Sequence, residues 1–173
     1  AMAVIPWPLS PSSPALSAAA HALVADDAAG MAAALIQSRQ TILPKRLGAP
    51  GPSAAELAQI LSAAAHAPDH GQLVPWRFVL VPEASRTPLA DVFAQALLER
   101  EKAYRSPVLL LAVVDAERGD ADIDLAERTV SAGCAVQNML LMATAQGYGS
   151  ALTSGKALKA DSLRALFQLA PSE

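Results

Sequence analysis

The groups in this 173-residue chain that could do chemistry sit at the ends of segments, not inside them. Arg39 and Thr41 leave one helical stretch. His66 and His70 flank Pro68, where a second stretch stops. Thr153 and Ser154 end Ser150-Ala-Leu-Thr-Ser154, which reads as a short strand or an extended loop. Such groups suit a clamp on a phosphate and hydrogen bonds to a planar ring, because the fork of guanidinium donors matches phosphate oxygens. They do not suggest a nucleophile or a general acid–base pair. Taken singly, Arg39 reads as readily as a solvated surface charge, and His70 as a loop-ordering hydrogen bond. Spacing alone leaves these alternatives open.

Several familiar sites are excluded by the spacing. Gly147-Tyr-Gly149 is not a dinucleotide fingerprint, since it follows a helical pattern and lacks the third glycine. Gly149 to Gly155-Lys156 is one residue too long for a phosphate loop, and Ala157 stands where a magnesium-binding hydroxyl is needed. His66 and His70 cannot share a helix face across Pro68, and no helical His-Glu-x-x-His motif is present. Ser-His-Asp catalysis is not among the excluded sites, since residue counts leave it open, although no nucleophile elbow is present. Cys134, the single cysteine, allows no internal disulfide and reads as a core thiol.

These residues need elements to hold them. Residues 1–25, with Pro6, Pro8, Pro11 and Pro14, read as an arm, anchored by Ile5 and Trp7 or partly disordered. Residues 26–173 read as one domain. Asp26 and Asp27 are N-cap candidates for a helix to Ser38. Ser53-Ala-Ala-Glu56 is a capping box, and the helix it opens carries Leu57, Ile60, Leu61 and Ala64 before Pro68. A strand is predicted over Arg77–Val81, launched by Pro75-Trp76. Thr87-Pro88 starts a helix with Leu89, Val92, Phe93, Ala96 and Leu97 on its apolar stripe. Val108–Val114 is continuously apolar, as in an interior strand covered on both faces. Asp120 or Asp122 begins the longest helix, apolar nearly all round and so expected to be buried all round, as a central helix or a dimer interface, ending near Gln146 at Gly147-Tyr-Gly149. Asp161 caps a last helix with Leu163, Leu166 and Phe167. The order predicts an α+β, three-layer fold with a small sheet covered by helices.

Bulk composition narrows the partners. Net charge is −3 and no basic run occurs, so nucleic acid and anionic membrane are poor partners. Charged residues make up 17% and hydrophobic ones 53%, which fits either a large subunit interface or an alanine-rich bias. The apolar strand is too short to span a bilayer. No basic residue precedes Arg39, so a secretory leader is not expected and the cytoplasm is the default compartment.

Four stretches in order resemble the nitroreductase family of FMN-dependent oxidoreductases, and most of all its compact branch. Ser38-Arg-Gln-Thr41 is similar to the family's Ser-Arg-Arg-Ser entry motif. Ala67-Pro-Asp-His70 followed by Pro75-Trp-Arg-Phe78 is similar to the branch's most specific signature. Ser131-Ala-Gly-Cys-Ala-Val-Gln-Asn138 and Ala145-Gln-Gly-Tyr-Gly149 are similar to its central helix and exit. The resemblance implies a nitroreductase-like α/β/α fold and a homodimer with FMN at the subunit interface. It also implies ping-pong hydride transfer from NAD(P)H through flavin to nitroaromatic, quinone or similar electron-poor small molecules.

By position, Arg39 would bind the FMN phosphate, with Gln40 and Thr41 beside it. His66 and His70 would contact the cofactor from one loop, and Leu152, Thr153 and Ser154 would line the flavin. Met142 to Gly147 falls in the region the branch assigns to the nicotinamide cofactor. No side chain is implied as catalytic and no metal is implied. Gln40 and His66 stand where the family has arginines. The sequence stops at Glu173, where family members continue into a further strand and a basic tail. These departures motivate a second reading, a family-like dimer that has lost flavin and serves as a binding or structural protein.

Overall fold

The computed structural model describes residues 18–96 and 99–173. Leu97, expected on an apolar helix stripe, lies outside the described residues, as do the prolines and Trp7 of the N-terminal arm. The chain divides into two compact units, residues 1–37 and 38–173. Helix α1 (Ala18–Ser38) begins well before the expected caps, so Asp26 and Asp27 lie within it and do not start it. Alanine-rich sequence ahead of Asp26 has high helix propensity, and it carries the helix back past the acidic pair.

Helix α2 (Ala54–Ala63) starts as its sequence predicts. The Ser53 hydroxyl accepts from the Glu56 N–H, and the Glu56 carboxylate accepts from the Ser53 N–H at 2.8 Å. The helix tightens into a 3-10 turn over Ala64–His66 and stops at Ala67, which is extended, as a residue before proline should be. Strands β1 (Trp76–Leu80) and β2 (Leu110–Val114) pair antiparallel, with Trp76 opposite Val114 and Leu80 opposite Leu110. Hydrogen bonds from Asp115 to Pro75 (2.7 Å) and from Val81 to Leu109 (2.9 Å) extend the ladder at both ends.

Helix α3 (Arg86–Gln95) begins ahead of Thr87-Pro88, so these are first-turn residues and not the cap and first position. Proline is tolerated there because first-turn N–H groups have no intrahelical acceptor. Helix α4 (Leu125–Ala145) starts later than expected. Asp124 is its N-cap and forms a second capping box with Glu127, while Asp120 and Asp122 stay in the preceding loop. Helix α5 (Asp161–Leu166) has Asp161 as its first residue, and Ala160 occupies the cap position.

The sheet separates two cores. Trp76, Phe78, Leu110 and Val114 face α2 and α4, where Ile60, Ala64, Ala132, Ala135, Met139 and Ala143 are buried. The other core joins Val81, Leu109 and Leu111 to α3 and α5 through Leu89, Ala90, Val92 and Leu163. This is the helix–sheet–helix layering the sequence predicts, with a two-stranded sheet. Two expectations are corrected. The strand expected over 108–114 forms over Leu110–Val114, and the one expected over Arg77–Val81 over Trp76–Leu80; β2 is not interior, being one of only two strands among the described residues, with Ala112 exposed on it. Within one chain helix α4 is not buried all round, since Leu125 and Val130 are exposed, so it is not a wholly central helix. Alanine supplies much of its apolar count, and a methyl group on the surface costs little.

One ion pair fastens the end of the described chain to the sheet. Arg77 donates to Glu173 through Nε (2.5 Å) and Nη2 (2.8 Å), and the Ala170 N–H donates to the same carboxylate. Arg77, then the Ala170 amide, hold the Glu173 carboxyl down at about 2. A carboxyl lowered in the folded state stabilises fully above its unfolded value, and the contribution disappears as pH falls through the folded one. Glu173→Gln is therefore expected to cost about 1 kcal/mol at pH 7, a figure reduced for the exposure of Arg77. Below about pH 2 the variant and the parent converge. Urea denaturation midpoints across that range read the difference.

Candidate functional site

The sequence-flagged residues fall into two groups, and the fold brings each group together but not the two to each other. The first group gathers at the C-terminal end of α4. Gly147, at φ 85°, reverses the chain, and the Tyr148 N–H bonds to Ala143. The Tyr148 hydroxyl donates to Glu56 at 3.0 Å and ties this turn to the start of α2. Hydrogen bonds from the Ser53 hydroxyl, the Ser53 backbone and Tyr148 hold the Glu56 carboxyl below its ordinary value.

The chain then runs beside residues 41–42. Thr41 and Ser150 form a parallel bridge, and the Ile42 N–H donates to the Ser150 carbonyl at 3.0 Å. A Cβ on Gly149 would lie 3.0 Å from Leu47 and 3.1 Å from Ile42, so glycine permits this approach. Residues 150–154 therefore form an extended loop holding one bridge, of the two forms the sequence allows. The parallel register lays Thr41 and Ile42 beside Ser150, with Arg39 and Gln40 just before that bridge and Leu152, Thr153 and Ser154 just after it.

The charged groups of these two stretches are all cationic. Arg39 is half-buried and forms no ion pair among the described residues. The backbone N–H groups of Leu152, Thr153 and Ser154 donate to no acceptor among the described residues. The Ser150 hydroxyl is buried without a partner there. Segments 38–47 and 150–160 together carry Arg39, Lys45, Arg46, Lys156 and Lys159 and no carboxylate, in a chain whose acidic residues outnumber its basic ones. Unpaired cations beside free amide donors are what a phosphate needs.

The second group surrounds the 66–76 corner. His66 ends the 3-10 turn after α2 and is exposed. The His70 Nδ1 lies 2.9 Å from Glu127 Oε1, at the N-terminal end of α4. Just after His70 the backbone is strained. Gly71 (φ 70°), Gln72 (φ 52°) and Val74 (φ 48°) are all left-handed. For β-branched Val74 this is an outlier, and such outliers cluster at ligand sites. Asp69 holds the loop by accepting from the Val74 N–H at 2.6 Å. A cleft of about 310 Å³ opens here, lined by Ala65, Ala67, Asp69, Gln72, Val74 and Trp76. Sequence reasoning passed over Asp69, Gln72 and Val74. The only available signal was Gly71, since positive φ at the other two cannot be read from residue type.

Glu127 and Gln146 are separated by nearly the whole of α4, about 28 Å at 1.5 Å per residue. The chain thus presents an Arg39 end and a His70 end that face different places. The two ends also differ in charge. Residues 115–127 carry Asp115, Glu117, Asp120, Asp122, Asp124 and Glu127 against Arg118 alone. Among the described residues, no cluster of side chains could hold a metal ion, and no helix is long and apolar enough to cross a membrane.

Comparison with known proteins places this fold. The sequence model of the nitroreductase family matches residues 36–173. A Haemophilus influenzae protein named "Putative NAD(P)H nitroreductase" is 34% identical over 134 residues, covering 71% of this chain and 73% of its own. The Escherichia coli K12 protein named "Putative NAD(P)H nitroreductase YdjA" is 30% identical over 133 residues, covering 70% and 72%. Among solved structures, a Desulfovibrio desulfuricans protein described as a "putative nitroreductase in complex with FMN" superposes with a TM-score of 0.65 at 27% identity, covering 80% of this chain and 77% of its own. A nitroreductase-like protein from Bacillus cereus, 19% identical, reaches a TM-score of 0.68 over 81% and 78% of the two chains and shows the shared fold. With its layered α+β fold and a family match over most of its length, the chain belongs to the nitroreductase family and is an oxidoreductase.

Proposed function

We propose that this protein is an FMN-dependent oxidoreductase that takes hydride from NAD(P)H and passes it to nitroaromatic, quinone or similar electron-poor small molecules. The observation that carries this reading is the pairing of a cationic end with a strained, cleft-bearing end on one family fold. The residues present fit FMN. Arg39 would hold the phosphate with the amides of residues 152–154, and Gln40 and Thr41 would flank it. The 66–76 corner, with His66, His70 and the cleft at Trp76, would wall the ring. FMN, when bound, supplies the hydride chemistry that no side chain here can supply. The protein binds, orients and excludes water, and the donor and the acceptor use the cleft in turn, a ping-pong order. The similarity to a protein solved with FMN supports the cofactor, and the names of the curated relatives support NAD(P)H as donor.

The working unit in this reading is a homodimer. The two half-sites lie at opposite ends of α4, so a flavin that touches both requires the Arg39 end of one protomer and the His70 end of its partner. Charge favours that arrangement, because the cation-only end of one chain would meet the acidic 115–127 end of the other. FMN affinity and dimer mass are therefore expected to fall together as salt rises, since salt screens such pairs. Parallel FMN titration and sedimentation equilibrium at low and high ionic strength check this. Salt-independent FMN binding to a monomer excludes the shared site.

The test of the function itself is spectroscopic. The purified protein, supplied with FMN, should absorb near roughly 450 nm and bleach on anaerobic addition of NADH or NADPH. A colourless protein that takes up no FMN overturns the proposal and leaves the second reading, a flavin-free dimer of the same fold. The replacement of two family arginines by Gln40 and His66 is the feature that favours that second reading.

A further inference from the structure

The loop before α4 and the strained 69–75 loop are interlocked through two glycines. Gly71 lies at φ 70°, and a Cβ built on it would sit 2.6 Å from Ile123 Cδ1. Gly119 lies at φ 75°, and a Cβ on it would sit 2.7 Å from Leu73 Cδ2. Each loop thus offers a glycine as the socket for an apolar side chain of the other. Replacing either glycine is strained by its φ, and the added Cβ would have to push aside the tip of the side chain seated on it. Ile123 is buried at 6% exposure, so this contact belongs to the packed interior.

The 118–123 loop is itself held rigidly. Arg128, at 1% exposure, sends its guanidinium back along α4 and donates to the carbonyls of Ile123 (2.9 Å), Asp120 (2.6 Å) and Arg118. No carboxylate accepts from it among the described residues. Each of the three guanidinium nitrogens donates to a backbone carbonyl. A third tie, His70 to Glu127, crosses from the strained loop to the first turn of α4. Left-handed Gln72 and Val74 would relax if nothing opposed them, since such conformations persist only where the surroundings over-determine them.

We infer that the 118–123 loop, stapled by Arg128 and keyed through Ile123 and Gly119, is the positioning element that holds the 69–75 wall in its strained, cleft-bearing form. Ile123, Gly119 and Arg128 are positioning residues: they act on the cleft only through Gly71, Leu73 and the backbone between them. The inference rests on the flavin reading for its functional consequence, but not for its structural one.

Amide hydrogen exchange of the flavin-free protein tests it without any cofactor. Ile123→Ala empties the socket at Gly71 and should speed exchange of the 69–75 amides, Val74 above all, about 10-fold. Ile123→Leu, which keeps a δ-carbon, should restore most of the protection. Leu163→Ala, a comparable truncation in the other core, should leave these amides unchanged while lowering the melting temperature. Where the parent takes up FMN, Ile123→Ala should weaken FMN about 10-fold and Leu163→Ala should not. Unchanged exchange over 69–75 in Ile123→Ala, or an equal rise in Leu163→Ala, overturns the inference. A parent that takes up no FMN overturns the flavin reading alone, because the exchange result stands without it.

Discussion

Arg39→Ala should weaken FMN binding about 10- to 100-fold, because a charge-assisted hydrogen bond contributes roughly 1.5–3 kcal/mol. The expectation is firm for a structural reason. Arg39 has no ion pair among the described residues. Its removal leaves no carboxylate orphaned and should hardly change folding stability. The loss would therefore appear in the FMN dissociation constant and not in the melting temperature. Fluorescence titration of FMN beside thermal denaturation separates the two. Arg39→Lys should recover only part of the affinity, since an ammonium is a point charge without the two-pronged fork. An Arg39→Ala protein with parental FMN affinity would place the phosphate elsewhere, with Lys156 and the amides of 152–154 as the remaining donors.

Arg128→Ala should be the most destabilising single change within the described fold outside the apolar cores. It removes a side chain at 1% exposure and strips the donors from three carbonyls. The orphaned Ile123 carbonyl is buried and costs about 1–3 kcal/mol, the part-buried Asp120 and Arg118 carbonyls cost less, and the emptied volume adds to that. A total near 4 kcal/mol corresponds to a fall of about 8–16 °C in melting temperature for a chain of this size. Arg128→Lys should recover little, because one ammonium cannot reach three carbonyls in a plane. Arg86 offers an internal comparison. It is buried too and donates to Val81, Ala103, Ser106 and Pro107 carbonyls, and burial pushes its guanidinium down from the ordinary value. Arg86→Ala should destabilise similarly but leave the 69–75 loop undisturbed, since it staples the segment before β2. Scanning calorimetry and exchange of the 69–75 amides together distinguish the two arginines. A loss below about 1 kcal/mol for Arg128→Ala would mean that water replaces the guanidinium at those carbonyls.

These two arginines also mark the limit of what residue types reveal. Both are charged, both sit in segments with polar neighbours, and nothing in their spacing distinguishes them from surface cations. Their burial follows from loops that turn several carbonyls toward one point, and that is a property of the folded backbone.

Much else was legible. The Ser53–Glu56 capping box, the stop at Pro68, the strand after Trp76 and the Gly147 turn follow from local chemistry within a few residues, and each appears where the sequence places it. Helix starts at Asp26, Thr87, Asp120 or Asp122, and Asp161 were read less well, because several acidic or hydroxyl residues compete near each start. Only packing selected Asp124, whose partner Glu127 also meets His70.

The residues and their order carry the family, the layered fold and the types of group available: one arginine at a helix exit, histidines after a proline stop, hydroxyls after the long helix. The tertiary structure alone decided which of these meet. It joined Thr41 to Ser150 across more than a hundred residues of chain. It set His70 at the far end of α4 from them, and it strained Val74 into the left-handed region. The physical reason is that motifs are local. Contacts between distant segments are settled by how apolar faces pack and by which backbone groups then need partners.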